Sequence, residues 1–165
     1  MCGATMNARN FAALAIAASL IGFAPQSAES ADGPLAHFAG TWSGNGKITV
    51  KDGTSERIRC RSTNTAKGNA LALSLRCASD SYKFDLGSDI AAEGANISGS
   101  WNETSRGVVG SLSGRISGSN ITATATSVGV TAALSIKTSG NALNVSIRSP
   151  GSEVSEVSVI MARGR

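Results

Sequence analysis

Aromatic residues are scarce in this 165-residue chain, at 4%, and it holds one histidine and three prolines. Few rings leave few platforms for stacked bases, and a formal charge of +4 lacks the density that a nucleic-acid surface needs, so no nucleic-acid partner is expected. A catalytic triad would have to use His37, ahead of the first patterned segment, and no Gly-x-Ser-x-Gly elbow occurs. Zinc requires four ligands, or three and a water, and one histidine with two paired cysteines does not supply them. Gly110, Gly114 and Gly118 recur along one segment without the spacing of a dinucleotide fingerprint. These absences exclude the commonest enzyme classes and predict a non-enzymatic protein with no cofactor and no metal.

Charge is also missing from the amino end. After Arg9, the run Phe11 to Phe23 has no ionisable side chain, and Pro25 and the small residues around Ala28 and Ser30 follow. This is the pattern of a secretory signal peptide, residues 1–30, and predicts a periplasmic or secreted protein. The run is shorter than the roughly 20 apolar residues of a membrane span. Cys2 precedes it and leaves with the signal, so the two remaining cysteines of an exported chain are expected to pair. Residues 31–37 read as a flexible amino segment and 38–165 as the folded domain.

From Phe38 to Pro150 there is no proline and no helical period. Short alternating segments separated by Gly, Asn, Asp and Ser pairs read as a β meander of ten strands, near 38–50, 54–66, 70–79, 81–91, 95–103, 108–117, 120–127, 130–138, 142–149 and 153–163. An even meander closes most simply into an antiparallel barrel, which leaves no edge exposed. A two-residue turn at Gly68-Asn69 puts Cys60 directly opposite Cys77, at a site where a disulfide fits. Turns at Ser79-Asp80 and Glu93-Gly94 would pair Leu75 with Phe84, Arg76 with Lys83, Ile90 with Ile97 and Leu86 with Trp101. Turns at Gly118-Ser119 and Gly140-Asn141 would pair Ile116 with Ile121, Ile136 with Val145 and Leu134 with Ile147. Every register keeps the apolar sides together, as a real sheet requires.

Alternation alone leaves two barrels open, a soluble one with the apolar face inside and an outer-membrane one with it outside. The shortage of aromatics for interfacial girdles and the cystine on the apolar face favour the first. The lumen then receives Trp42, Leu73, Phe84, Trp101 and Leu112, together with Gly44, Gly46, Gly99, Gly110, Gly114, Ala123 and Ala125, which contribute almost no volume. Ten strands with so many small inward residues predict an unfilled apolar cavity. The competing reading is that these glycines only let the strands bend and the barrel fills itself.

The stretch Gly40-Thr-Trp-Ser-Gly-Asn-Gly46 resembles the first strand of calycin-type, lipocalin-like barrels, in which Gly-x-Trp opens the barrel and the Trp closes one end. Its longer form resembles the start of nitrobindin-like ten-stranded barrels. The resemblance implies a barrel with a central pocket. Nitrobindins bind haem through a histidine late in the chain, and His37 stands before the first strand, so haem is not carried over.

Arginines stand on the polar side of the cysteine hairpin. In these registers Arg61, Arg76 and Lys83 form a row across three strands, and like charges placed opposite one another destabilise a sheet. Such a row predicts an anionic partner, an envelope surface or an acidic protein. The function expected is binding of an apolar small molecule or lipid in the lumen. The alternative is a protein-interaction module such as a periplasmic protease inhibitor, since secreted bacterial metalloprotease inhibitors also use a small disulfide-bonded calycin-like barrel. That module would act through residues 31–38 and the turns.

Overall fold

The structure, a computed structural model, describes residues 33–164; the expected signal peptide and Cys2 lie outside the described residues. A 3-10 turn, Ala36–Phe38, leads into ten antiparallel strands. They are β1 (Gly40–Val50), β2 (Ser55–Lys67), β3 (Ala70–Ala78), β4 (Lys83–Glu93), β5 (Asn96–Glu103), β6 (Val108–Ser117), β7 (Asn120–Ser127), β8 (Val130–Ser139), β9 (Ala142–Arg148) and β10 (Val154–Arg163). Each strand pairs with its neighbours in sequence, and β10 returns to β1, so the barrel closes as the alternation predicted. Apolar side chains point inward. The wall outside carries Ser, Thr, Asn and charged residues, as in the exposed row Thr122, Thr124 and Thr126, the reverse of a lipid-facing wall.

The β2–β3, β6–β7 and β8–β9 registers are those expected: Cys60 faces Cys77, Ile116 faces Ile121, and Leu134 faces Ile147. Two registers differ by two residues. Leu75 faces Leu86 and Arg76 faces Asp85, because the β3–β4 turn is centred on Asp80-Ser81, closed by the Ser79 amide donating to the Tyr82 carbonyl at 2.8 Å. Ile90 faces Gly99 and Ser88 faces Trp101, because Gly94 takes the first position of its turn, with φ of +61°. Gly68, Gly118 and Gly140 hold the same place, with φ of +54°, +54° and +57°. A shift of two preserves the face of every side chain and changes only its neighbour.

One end of the barrel is sealed. Leu35 and Phe38 are 0% and 1% exposed, so from Gly33 onward the segment expected to be flexible is docked on the fold. Trp42 Nε1 donates to the Phe38 carbonyl at 3.1 Å, and Asn64 Nδ2 donates to the same oxygen at 2.9 Å. The Arg163 guanidinium lies over the indole, 4.1 Å from the ring centroid, and also donates to the carbonyls of Ala39 and His37. Carboxyl-terminal and amino-terminal segments are thereby tied across one aromatic ring.

Candidate functional site

Above this floor is a cavity of about 350 Å³. Its lower wall, with Leu71, Ile90, Ile121 and Leu143, is buried, whereas Leu73, Leu75, Phe84, Leu86, Trp101 and Ile147 higher up remain partly exposed. The cavity therefore opens at the end opposite Phe38, between the β5–β6 and β9–β10 loops. Gly44, Gly46, Gly99 and Gly114 bring neighbouring backbones so close that a Cβ would meet main-chain atoms at 2.0–2.3 Å. They serve close approach of the strands, and the interior is not filled.

Four of the five expected lumen residues, Leu73, Phe84, Trp101 and Leu112, lie on the cavity wall. Trp42 does not. It points inward but lies beneath Phe38 as part of the floor, because its indole N–H must reach the Phe38 carbonyl. Trp101 is held flat by a neighbour without a side chain: it faces Gly110, where a Cβ would stand 2.6 Å from Nε1, and it donates to the Ser111 carbonyl at 3.1 Å.

Apart from Ser88, whose hydroxyl donates to the Ser100 carbonyl at 2.9 Å midway along β4, the polar groups lie toward the two ends. Near the floor, Ser62 Oγ donates to Asn64 Oδ1 at 2.5 Å. At the mouth, Glu103 is only 7% exposed and accepts from the amides of Asp85 at 3.0 Å, Ser105 at 3.1 Å and Arg106 at 2.8 Å. Burial pushes its pKa up, but the hydrogen bonds from Asp85, Ser105 and Arg106 together outweigh burial and hold it below the ordinary 4.5. The Arg106 guanidinium lies 3.7 Å from this carboxylate and 4.9 Å from the Phe84 ring centroid, so loop and ring are fixed together at the rim. Neither Glu103 nor Arg106 was anticipated. The signal was there, since Glu103 shares the inward parity of Trp101, and an inward carboxylate at a strand end marks a place where solvent or amides must meet it.

The cystine joins Cys60 to Cys77 across the β2–β3 pair, with Cα atoms 4.1 Å apart. On the reverse side Arg61 faces Arg76, as expected. The predicted continuation to Lys83 is corrected by the register: Arg76 faces Asp85 and bridges to it at 3.4 Å, while Lys83 faces Ala78. His37 is exposed, and among the described residues no three His, Cys, Asp or Glu side chains gather as a metal site would require. Leu35 and Phe38 are committed to the floor, whereas Gly33, Pro34 and His37 remain exposed.

A solved structure decides the fold. The chain superposes on the crystal structure of Rv2717c from M. tuberculosis with a TM-score of 0.62, covering 79% of this chain and 95% of that one. This chain shares the fold of that structure, which in this chain is a closed antiparallel barrel of ten strands. Sequence identity is 13%, so the likeness speaks for architecture alone. No protein-family model matches the chain, and no curated protein matches it.

Proposed function

We propose that this protein is a non-enzymatic, exported barrel that binds an apolar small molecule or lipid in its lumen. The observation that carries the reading is the cavity itself: about 350 Å³, apolar along its wall, sealed by Phe38 and open beside Arg106. Packed interiors leave few voids larger than a water molecule, and ligand pockets begin near 300 Å³. Apolar surface that a ligand buries there stabilises the complex by about 25 cal/mol per Å². The untethered polar groups of such a ligand would stay at the mouth, where water and Arg106 can meet them.

Ala125 and Ala132 face each other across β7 and β8, are buried, and line the cavity, so their small size keeps it open. Ala125→Leu should weaken uptake of the fluorescent probe 1-N-phenylnaphthylamine by about tenfold or more while leaving circular dichroism and melting temperature unchanged. Native mass spectrometry of protein purified from its own host should in addition show a copurifying apolar molecule. Equal probe uptake by both proteins, or none by either together with an empty spectrum, would overturn the lumen reading.

A further inference from the structure

The outer wall is not uniformly polar. Across β6, β7 and β8 it is mostly Ser and Thr, with Arg115 and Lys137 as isolated cations. Across β1 to β4 it carries two rows fixed by register. One row runs Ser43, Arg61, Arg76, Asp85; the next, two residues along each strand, runs Asn45, Arg59, Ala78, Lys83. Ala78 stands between two long cations and contributes only a methyl group. The result is a groove of about 500 Å³ walled by Arg59, Arg61, Arg76 and Lys83 and floored by the strand backbones behind them.

Charge in this groove is poorly compensated. Asp85 is the carboxylate bridged to Arg76, and among the described residues no ion pair involves Arg59, Arg61 or Lys83. Arg61 directly opposite Arg76 is a like-charge pair that costs sheet stability, and the adjacent Cys60–Cys77 bond holds the two strands together against that repulsion. Guanidinium groups on a concave wall offer paired donors suited to tetrahedral oxyanions. Ser43 and Asn45 add neutral hydrogen-bonding groups at the edge.

We propose that this groove is an anion-binding site that takes a multivalent oxyanion, a phosphate- or sulfate-ester group, on Arg59, Arg61, Arg76 and Lys83. None of these four cations lines the lumen, although Cys77 and Phe84 border both, and the site does not depend on the lumen having a ligand. Phosphate chemistry can reach it free in solution or as a lipid headgroup, and two probes separate these sources: tripolyphosphate by isothermal titration at fixed ionic strength, and phosphatidylglycerol-containing vesicles against phosphatidylcholine vesicles by flotation.

The decisive comparison uses two double variants with the same change in net charge, Arg59→Ser with Arg61→Ser in the groove, and Arg115→Ser with Lys137→Ser elsewhere on the wall. Binding of the responsive probe should fall about tenfold or more in the first and stay within about twofold of wild type in the second. Saturable tripolyphosphate binding supports a soluble ligand, and capture by phosphatidylglycerol vesicles alone supports a headgroup. Because Arg61→Ser relieves repulsion, the groove variant should melt no lower than wild type, so a loss of binding cannot be ascribed to unfolding. Absence of binding to either probe by wild type, or equal loss in both double variants, would overturn the proposal.

Discussion

At the mouth of the barrel, Glu103 keeps a charge that burial alone would disfavour, because three backbone amides point at its oxygens. Its folded pKa lies below the ordinary 4.5, so its contribution to stability is complete above that value and is lost as pH falls through the lower, folded one. Glu103→Gln turns one acceptor into a donor facing N–H groups, which should cost about 1–3 kcal/mol at pH 7. Urea unfolding between neutral and acid pH should show the gap between the two proteins closing as Glu103 protonates. Asp52 and Glu56 are also held low, by hydrogen bonds from Thr54 and from Ser81 and Ser79, but they titrate in both proteins and cancel in the difference. Parallel curves across the acid limb would show that the carboxylate is not held as described. Sequence reading foresaw Leu73, Phe84, Trp101 and Leu112 on the wall from parity alone; it missed the Glu103 cluster because amides converging from β4 and the 104–107 loop leave no mark in composition.

At the scale of the hairpin, turn chemistry decides register. Gly68, Gly118 and Gly140 each open a two-residue turn in the left-handed region, where a glycine meets no steric penalty, and those three registers were legible. The same rule applied to Gly94 would have given its hairpin as well. Ser79-Asp80-Ser81 contains no glycine to mark the turn, which is centred instead by the Ser79 amide donating to the Tyr82 carbonyl and the Tyr82 amide donating to Ser79 Oγ. A two-residue slip there left every apolar side chain inside, which is why the fold survived it, but it exchanged Lys83 for Asp85 opposite Arg76 and so dissolved the predicted row of cations. The cystine tests the β2–β3 register directly. It spans a sequence separation of 17, and replacing both cysteines by serine should lower unfolding free energy by about 3 kcal/mol, as constraint of the unfolded chain requires. Calorimetry of wild type with and without reductant should reproduce the difference; a melting temperature indifferent to reductant would exclude a staple.

For the whole molecule, the barrel has one sealed end and one open end. The seal depends on contacts between the two ends of the described chain: Arg163 on β10 covers Trp42 on β1 and binds carbonyls of Ala39 and His37 in the entering segment. Arg163→Ala removes a cation–π contact and the hydrogen bonds that hold this segment, with an expected loss of about 1–3 kcal/mol. Limited proteolysis should then cut near residues 33–39 well before the strands are attacked, while cutting confined to the mouth loops in both proteins would show that Arg163 does not hold the seal.

Alternation of period two and the glycine-marked turns determined by themselves an all-β, ten-stranded meander with its apolar side chains on one face and Cys60 opposite Cys77, because side-chain parity and hairpin geometry are local properties of the chain. The resemblance of Gly40–Gly46 to a calycin-type first strand implied that Trp42 closes one end. Only the tertiary structure decided that Phe38 and Arg163 complete the floor, that the small inward residues leave about 350 Å³ above it, and that Arg59 joins Arg61, Arg76 and Lys83 around Ala78. Those outcomes depend on how far strands coil and which neighbours meet across several hairpins, and such distances are set by closure of the entire barrel and not by any one segment.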